Sequence, residues 1–382
     1  MKKLLKITVL SISFLIIMGG SGVSPALGNI SEAFPTTRPT LIKMILTLPA
    51  IILIPFSVLA GKLTSVMKKR KILIIGLVTY IIGGLGGGVA NSIYILLFFR
   101  GILGIGLGLI MPFSTSLIAD FFVGEERTKM MGLSGAVANL GAMLSNLAAG
   151  WLATINWRYS FSIYFIAIVV LILIITALPE PHHIAGEDKG KQKHVITTEV
   201  YIIAFFGFLL NIAFYAVTTN ISIFIRDENI GDSASAGFVM SFLTLAGFIG
   251  GIFLLRVFKF LKNFKVPVGI ALMSMGFWGL KNSYNLVQVI ASVFLIGFGF
   301  GVLKPLMLLK VTKIIPRKVN AFAISIVSSS FFLGKFMSPI FLSIIGRTFG
   351  NTAIRFRFYF LAICLIISSI VSLIFKSINK VI

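Results

Sequence analysis

The chain has 382 residues, 57% of them hydrophobic and 12% charged, with mean hydropathy +1.04; a water-soluble fold cannot clothe its surface from that composition, so an integral membrane protein is expected. The net charge of +23 is scattered between apolar runs with no soluble domain to carry it, which excludes nucleic acid as a partner and points to anionic lipid. The single cysteine, Cys364, lies in the apolar stretch LAICLIISSI, and His182, His183 and His194 share one hydrophilic segment, so no disulfide, metal site or cofactor is expected.

Apolar runs of about 20 residues are each long enough to cross a hydrocarbon layer of about 30 Å as a helix, the one open structure that satisfies its own backbone there. Reading runs against breaks predicts roughly twelve spans, at 4–28, 40–60, 72–90, 93–119, 130–153, 159–178, 199–224, 232–256, 266–284, 286–309, 320–345 and 356–376. The first also has the flanks of a cleavable signal peptide, but its length and its pairing with the seventh span favour a retained helix. The ninth and tenth are the least cleanly separated.

An even number of crossings leaves both termini on one side. About two-thirds of the 34 Lys and Arg fall in the N-terminal tail and alternate loops, so that side is expected to be the cytoplasm. GKLTSVMKKRK, residues 61–71, is then a cytoplasmic loop held against the inner leaflet.

Residues 104–112 read GIGLGLIMP and residues 297–305 read GFGFGVLKP, so three glycines and a proline coincide at an offset of 193. The same offset carries Gly141 onto Gly334 and Ser145 onto Ser338. The expected fold is all-α, with twelve transmembrane helices in two pseudo-symmetric six-helix bundles, 1–178 and 199–382, joined by a cytoplasmic loop at 179–198. Parallel repeats of this kind place substrate near the bilayer midplane.

These features, taken in order along nearly the whole chain, resemble the major facilitator superfamily, and its twelve-helix bacterial efflux members in particular. The family's loop between helices two and three reads roughly G-x-L-A-D-R-x-G-R-K; Gly61, Leu63, Lys69 and Arg70 match it, while Ser65 replaces the acid and Lys68 the second glycine. R-x-x-Q-G-x-G is represented by Arg100, Gly104 and Gly106, with Leu103 in place of glutamine. DFFVGEERTKMMG resembles the next loop signature through Asp120, Glu126, Arg127 and Gly132, and Trp157, Arg158, Pro179 and Glu180 fall in further family-like stretches. The exporters' G-x8-G-x3-G-P-x2-G-G aligns with Gly132, Gly141, Ser145, Asn146, Ala149 and Gly150, without its proline. The resemblance implies a secondary active transporter of a small organic solute, an antiporter working in efflux, with protons as a candidate coupling ion, acting as a monomer. Import of an organic anion, a non-transporting sensor and a lipid flippase are the alternatives on the same scaffold.

Polar groups on apolar helices are where a solute would find partners. Arg100, Lys304 and Lys335 are the cations that fall well inside the predicted spans. Lys335 shares a helical face with Ser325 and Ser328, and Lys304 lies on the glycine face with Gly297 and Gly301. Asn211, Tyr215, Thr218 and Ser222 recur at i, i+4, i+7 and i+11, one polar stripe along the seventh span; Asn139 and Asn146 make a shorter one in the fifth. Cavity lining is the expectation for these residues, interhelical hydrogen bonding the alternative. For Arg100 the resemblance implies conformational or proton coupling, against a buried arginine bonded to neighbouring backbone.

Gly61, Lys69, Arg70, Asp120, Glu126 and Arg127 are expected to form a cytoplasmic gate, against a solvated charge cluster. No carboxylate falls deep in a span, so an anionic or neutral solute is easier to accommodate than a cation. No GK pair is followed by Ser or Thr, which excludes a phosphate loop of the ATP-driven kind, and no base stands beside a nucleophile in the spans, so an enzyme is not expected.

Overall fold

The computed structural model describes residues 2–180, 197–261, 264–315 and 320–374; the three histidines and most of the linker at 179–198 lie outside them. The chain divides into two compact units, Met1–Lys193 and His194–Ile382. Among the described residues every regular element is helical.

In the first unit the long helices are α1 (Lys2–Ser21), α2 (Pro39–Leu63), α3 (Lys69–Gly86), α4 (Ile93–Ile110), α5 (Gly124–Ile155) and α6 (Ile166–Ala177). A short helix, Leu27–Ala33, follows α1; another, Phe113–Phe121, follows α4 after a break at Met111 and Pro112; and a 3-10 stretch, Trp157–Phe165, leads into α6. The second unit holds α7 (Thr198–Asp227), α8 (Ser233–Leu261), α9 (Lys265–Lys281), α10 (Leu286–Ile314), α11 (Asn320–Thr348) and α12 (Ile354–Ile374). Among the described residues, eleven stretches are long and apolar enough to cross a membrane. The remaining helix, α9, has 17 residues and spans about 26 Å at 1.5 Å per residue, slightly under the hydrocarbon thickness.

Both units use one pairing scheme. In the first, α4 packs on α2 and α3, and α1 packs on α5; in the second, α10 packs on α8 and α9, and α7 packs on α11. The glycine runs explain how the central helix comes so close to two neighbours at once. A Cβ on Gly104 would lie 2.9 Å from the Pro49 carbonyl oxygen of α2, whereas one on Gly106, turned to the other face, would lie 2.7 Å from Cα of Tyr80 in α3. At the offset of 193 the contacts repeat: Gly297 and Gly301 face α8, and Gly299 faces Gly269 and Met273 of α9. With lipid on the outside, such close van der Waals approach is a main source of helix association.

Helix starts repeat as well. Ser92 Oγ accepts the Ile95 N–H at the head of α4, and Asn285 Oδ1 accepts the Gln288 N–H at 3.0 Å at the head of α10, again 193 residues on. Outward faces carry exposed Ile82, Phe98, Val169, Ile172, Phe205 and Ile252, a surface suited to acyl chains.

Candidate functional site

The two units treat their intramembrane cations differently. In the first, Arg100 is 1% exposed. Its Nη1 donates to the Tyr164 hydroxyl at 2.9 Å and its Nη2 to the Gly84 carbonyl at 3.4 Å, while the guanidinium carbon lies 4.9 Å from the Phe161 ring centroid and 5.1 Å from that of Tyr164. Tyr80 meets Tyr164 edge-on at 5.6 Å and donates its hydroxyl to the Leu15 carbonyl, so α1, α3, α4 and the 3-10 stretch before α6 are tied at one point. Enclosed in this way, the arginine links helices within its unit, the backbone-bonded arrangement weighed from the sequence. The position 193 residues later is Val293, also buried, so the pairing scheme itself does not call for a cation here.

In the second unit, Lys335 of α11 is 6% exposed, and its Nζ lies 4.6 Å from the centroid of the Tyr215 ring on α7. Lys304 of α10, half-buried, holds its Nζ 5.6 Å from the Phe300 ring and 5.7 Å from the Phe331 ring. Phe300 is stacked on Phe214 at 3.8 Å, and Phe214 meets Tyr215 edge-on at 5.5 Å. Both lysines therefore stand against one aromatic cluster, where cation–π contacts of about 0.5–2 kcal/mol each offset part of a burial cost of about 2.5–3.5 kcal/mol per cation.

Asn211, Thr218 and Ser222 are buried on α7, in the stripe read from the sequence, and the Asn211 Nδ2 donates to the Gly207 carbonyl one turn back at 2.9 Å. Ser328 is half-buried on α11. In the first unit Asn139 bonds to the Gly135 carbonyl of its own helix. Asn146 is 1% exposed, and neither its Oδ1 nor its Nδ2 has a hydrogen-bond partner among the described residues.

At the end of the first unit where α2 gives way to α3, Lys69 Nζ pairs with Asp120 Oδ2 at 2.7 Å and Arg70 Nη2 donates to the Ile175 carbonyl. Lys6 of α1 pairs with Glu126 at the start of α5 at 2.6 Å. Gly61 and Arg127 are exposed. The six residues expected to form a gate are thus divided: two ion pairs and a backbone contact link neighbouring helices, and Gly61 and Arg127 stand apart.

Sequence reasoning missed several buried polar groups. Lys43 is 3% exposed inside α2 and Arg357 is 9% exposed in α12; both lie within about a turn of the starts of the expected spans at 40–60 and 356–376, where a long cation ordinarily reaches the interface. Arg357 Nη1 lies 3.5 Å from Asn220 Oδ1. Arg355 grips Glu228 with a two-pronged bond, Nε to Oε1 at 2.8 Å and Nη2 to Oε2 at 2.9 Å, joining the end of α7 to the start of α12. Tyr80 and Tyr164 carry single hydroxyls in apolar runs, and nothing local marks their partners.

The sequence profile of the Major Facilitator Superfamily matches residues 9–280. The chain is 33% identical over 122 residues to the multidrug transporter protein MdtP of Bacillus subtilis (strain 168), covering 31% of this chain and 23% of that protein. It is 26% identical over 260 residues to the quinolone resistance protein NorA of Staphylococcus aureus (strain MSSA476), covering 66% of this chain and 63% of that one. These matches thus span a quarter to under two-thirds of the relatives' lengths. Among solved structures, a D-xylose-proton symporter superposes with a TM-score of 0.72 at 17% identity, covering 96% of each chain. A bacterial homologue of the lysosomal transporter Spinster does so at 0.74 and 14% identity, over 99% of this chain and 96% of that one. With the profile covering more than two-thirds of its sequence and the fold shared over nearly its whole length, the chain belongs to the Major Facilitator Superfamily.

Proposed function

We propose that the chain is a secondary active transporter that exports a small organic solute across the cytoplasmic membrane by alternating access, with both termini in the cytoplasm. The observation that carries this reading is the set of polar and cationic side chains held on apolar helices of the second unit, Lys335 and Asn211 buried and Lys304 and Tyr215 half-buried, a placement of cations that is costly in a membrane and that a polar solute would offset. Export is favoured by the relatives, since both MdtP and NorA carry names of drug transport or resistance. Near the starts of α3 and α5 the pairs Lys69–Asp120 and Lys6–Glu126 act as part of a gate: both are partly exposed, worth about 0.2–1 kcal/mol, and weak enough to break in every cycle.

Direction is tested by intracellular accumulation. Cells expressing the chain should hold less of a quinolone than cells without it, and an uncoupler should raise the level again if protons drive the export. Higher accumulation on expression would replace export with uptake.

A further inference from the structure

We propose that Lys304 and Lys335, with the rings of Tyr215, Phe300 and Phe331 and the amide of Asn211, form a binding site within the second unit for a planar aromatic carboxylate. The proposal deepens the transporter reading and rests on it for its biological role, though binding itself is measured separately.

Three observations converge on it. First, neither lysine has a charged counterpart in the first unit. At the offset of 193, Lys335 corresponds to Ala142, inside α5, and α5 packs on α1 as α11 packs on α7; Lys304 corresponds to Met111, in the break after α4, and Tyr215 to Gly22, just past the end of α1. At Lys335, packing alone is therefore satisfied by a small apolar residue, and the cation needs another reason to be there.

Second, the unit supplies no acid at that depth. No Asp or Glu follows Asp232 in the sequence, and the earlier acids of the unit are Glu199, Asp227 and Glu228, at the two ends of α7. Tyr215, against which Lys335 lies, is about 24 Å along the helix from Glu199 and about 18 Å from Asp227 at 1.5 Å per residue. Lys304 stands on the Phe300 and Phe331 rings and Lys335 on the Tyr215 ring of the same cluster, so the unit gathers two ammonium groups there and no carboxylate. An anion relieves that excess; an organic cation adds to it.

Third, the walls are flat rings. Phe300, stacked with Phe214, and Tyr215, edge-on to Phe214, present π-faces beside the ammonium groups, which suits a ligand that joins a carboxylate to an aromatic plane better than a fully hydrated inorganic anion.

The test is isothermal titration of the purified full-length protein in micelles with 2-naphthoate, with tetraphenylphosphonium as the cationic comparison. Saturable naphthoate binding is expected, weakened at least tenfold by Lys335→Met and by Lys304→Met and retained in Lys335→Arg. The exposed Lys129→Met on α5 should bind as the parent does. Because Ala142 occupies the corresponding helical place, Lys335→Met is expected to fold, and Lys304→Met replaces a half-buried cation with an apolar side chain of similar length; melting curves of both check that. Equal naphthoate binding in both lysine variants, or tighter binding of tetraphenylphosphonium, would overturn the site. Lysine-dependent binding with no flux of naphthoate in liposomes would uphold the site and count against the transporter reading; flux of a cationic dye without naphthoate binding would do the reverse.

Discussion

Asp232 shows how much one side chain contributes at a helix start. Its Oδ1 accepts both the Ser235 N–H and the Ser235 hydroxyl at 2.9 Å, at the head of α8, and these bonds hold its carboxyl below the usual carboxylate range. A depressed folded-state value means that the stabilisation is present above the unfolded value, about 3.9, and is lost as pH falls through the lower folded one. Asp232→Ala should therefore cost about 0.5–2 kcal/mol at neutral pH. Asp232→Asn should keep most of the cap, since an amide oxygen accepts the same bond. Melting curves of the three proteins from pH 7 downward should show the parent converging on the alanine variant in acid while the asparagine variant does not. At this scale the sequence was only partly legible. Of the stripe read from helical spacing, Asn211, Thr218 and Ser222 are buried on α7 and Tyr215 is half-buried. The enclosure of Arg100 depends on Tyr164, 64 residues away in sequence, and Lys43 and Arg357, near the starts of α2 and α12, are buried where the end of a span suggests exposure. Residue spacing along one helix carries no information about partners on another.

At the scale of the element, the repeated glycines set the distance between helices. Gly106 has the Tyr80 backbone where its Cβ would be, and Gly299 has the Gly269 carbonyl at 2.6 Å from that point. Leucine at Gly106 or Gly299 should force α4 from α3 or α10 from α9, at the cost of about 1–3 kcal/mol usual for overpacking, or more where backbone blocks the way. Gly132 and Gly135 have open space around them, so alanine at either should leave melting unchanged or slightly raised. Size-exclusion profiles and melting temperatures of the four variants separate the two groups, and an unperturbed Gly106→Leu would mean that the close packing is not required. The spans themselves were legible because hydrocarbon thickness fixes their length. Their ends were less so: the fifth span, read as 130–153, is the helix Gly124–Ile155, whose first turn carries Glu125 and Glu126 and so projects beyond the apolar run. Nor does the repeat fix local geometry. Pro112 and Pro305 are equivalent at the offset of 193, yet the first lies in a break between helices and the second lies inside α10, so the proline alone does not fix the break.

At the scale of the whole molecule, charge distribution decides how the chain threads the bilayer. The 61–71 stretch between α2 and α3 carries Lys62, Lys68, Lys69, Arg70 and Lys71 without an acid. Placing one charge on the outer side of a membrane costs about 2.3 kcal/mol per 100 mV, so five cost about 11 kcal/mol, and each also gives up about 1 kcal/mol of attraction to anionic inner-leaflet lipid. In the orientation proposed above the connection stays inside, and an alternation of twelve crossings then puts the α11–α12 connection outside. The short α9 is the weak point in that count: if it does not cross, every later connection changes sides. With Cys364 replaced by serine, single cysteines at Thr36, Ser65 and Thr352, all exposed, read the topology directly. A membrane-impermeant maleimide applied to intact cells should label Thr36→Cys and Thr352→Cys at once and Ser65→Cys only after permeabilisation. Labelling of Ser65→Cys in intact cells would reverse the orientation. Labelling of Thr36→Cys without Thr352→Cys would leave the orientation of the first unit standing and reduce the crossings to eleven, because the position reached after α11 is on the cytoplasmic side only when one of the helices before it fails to span.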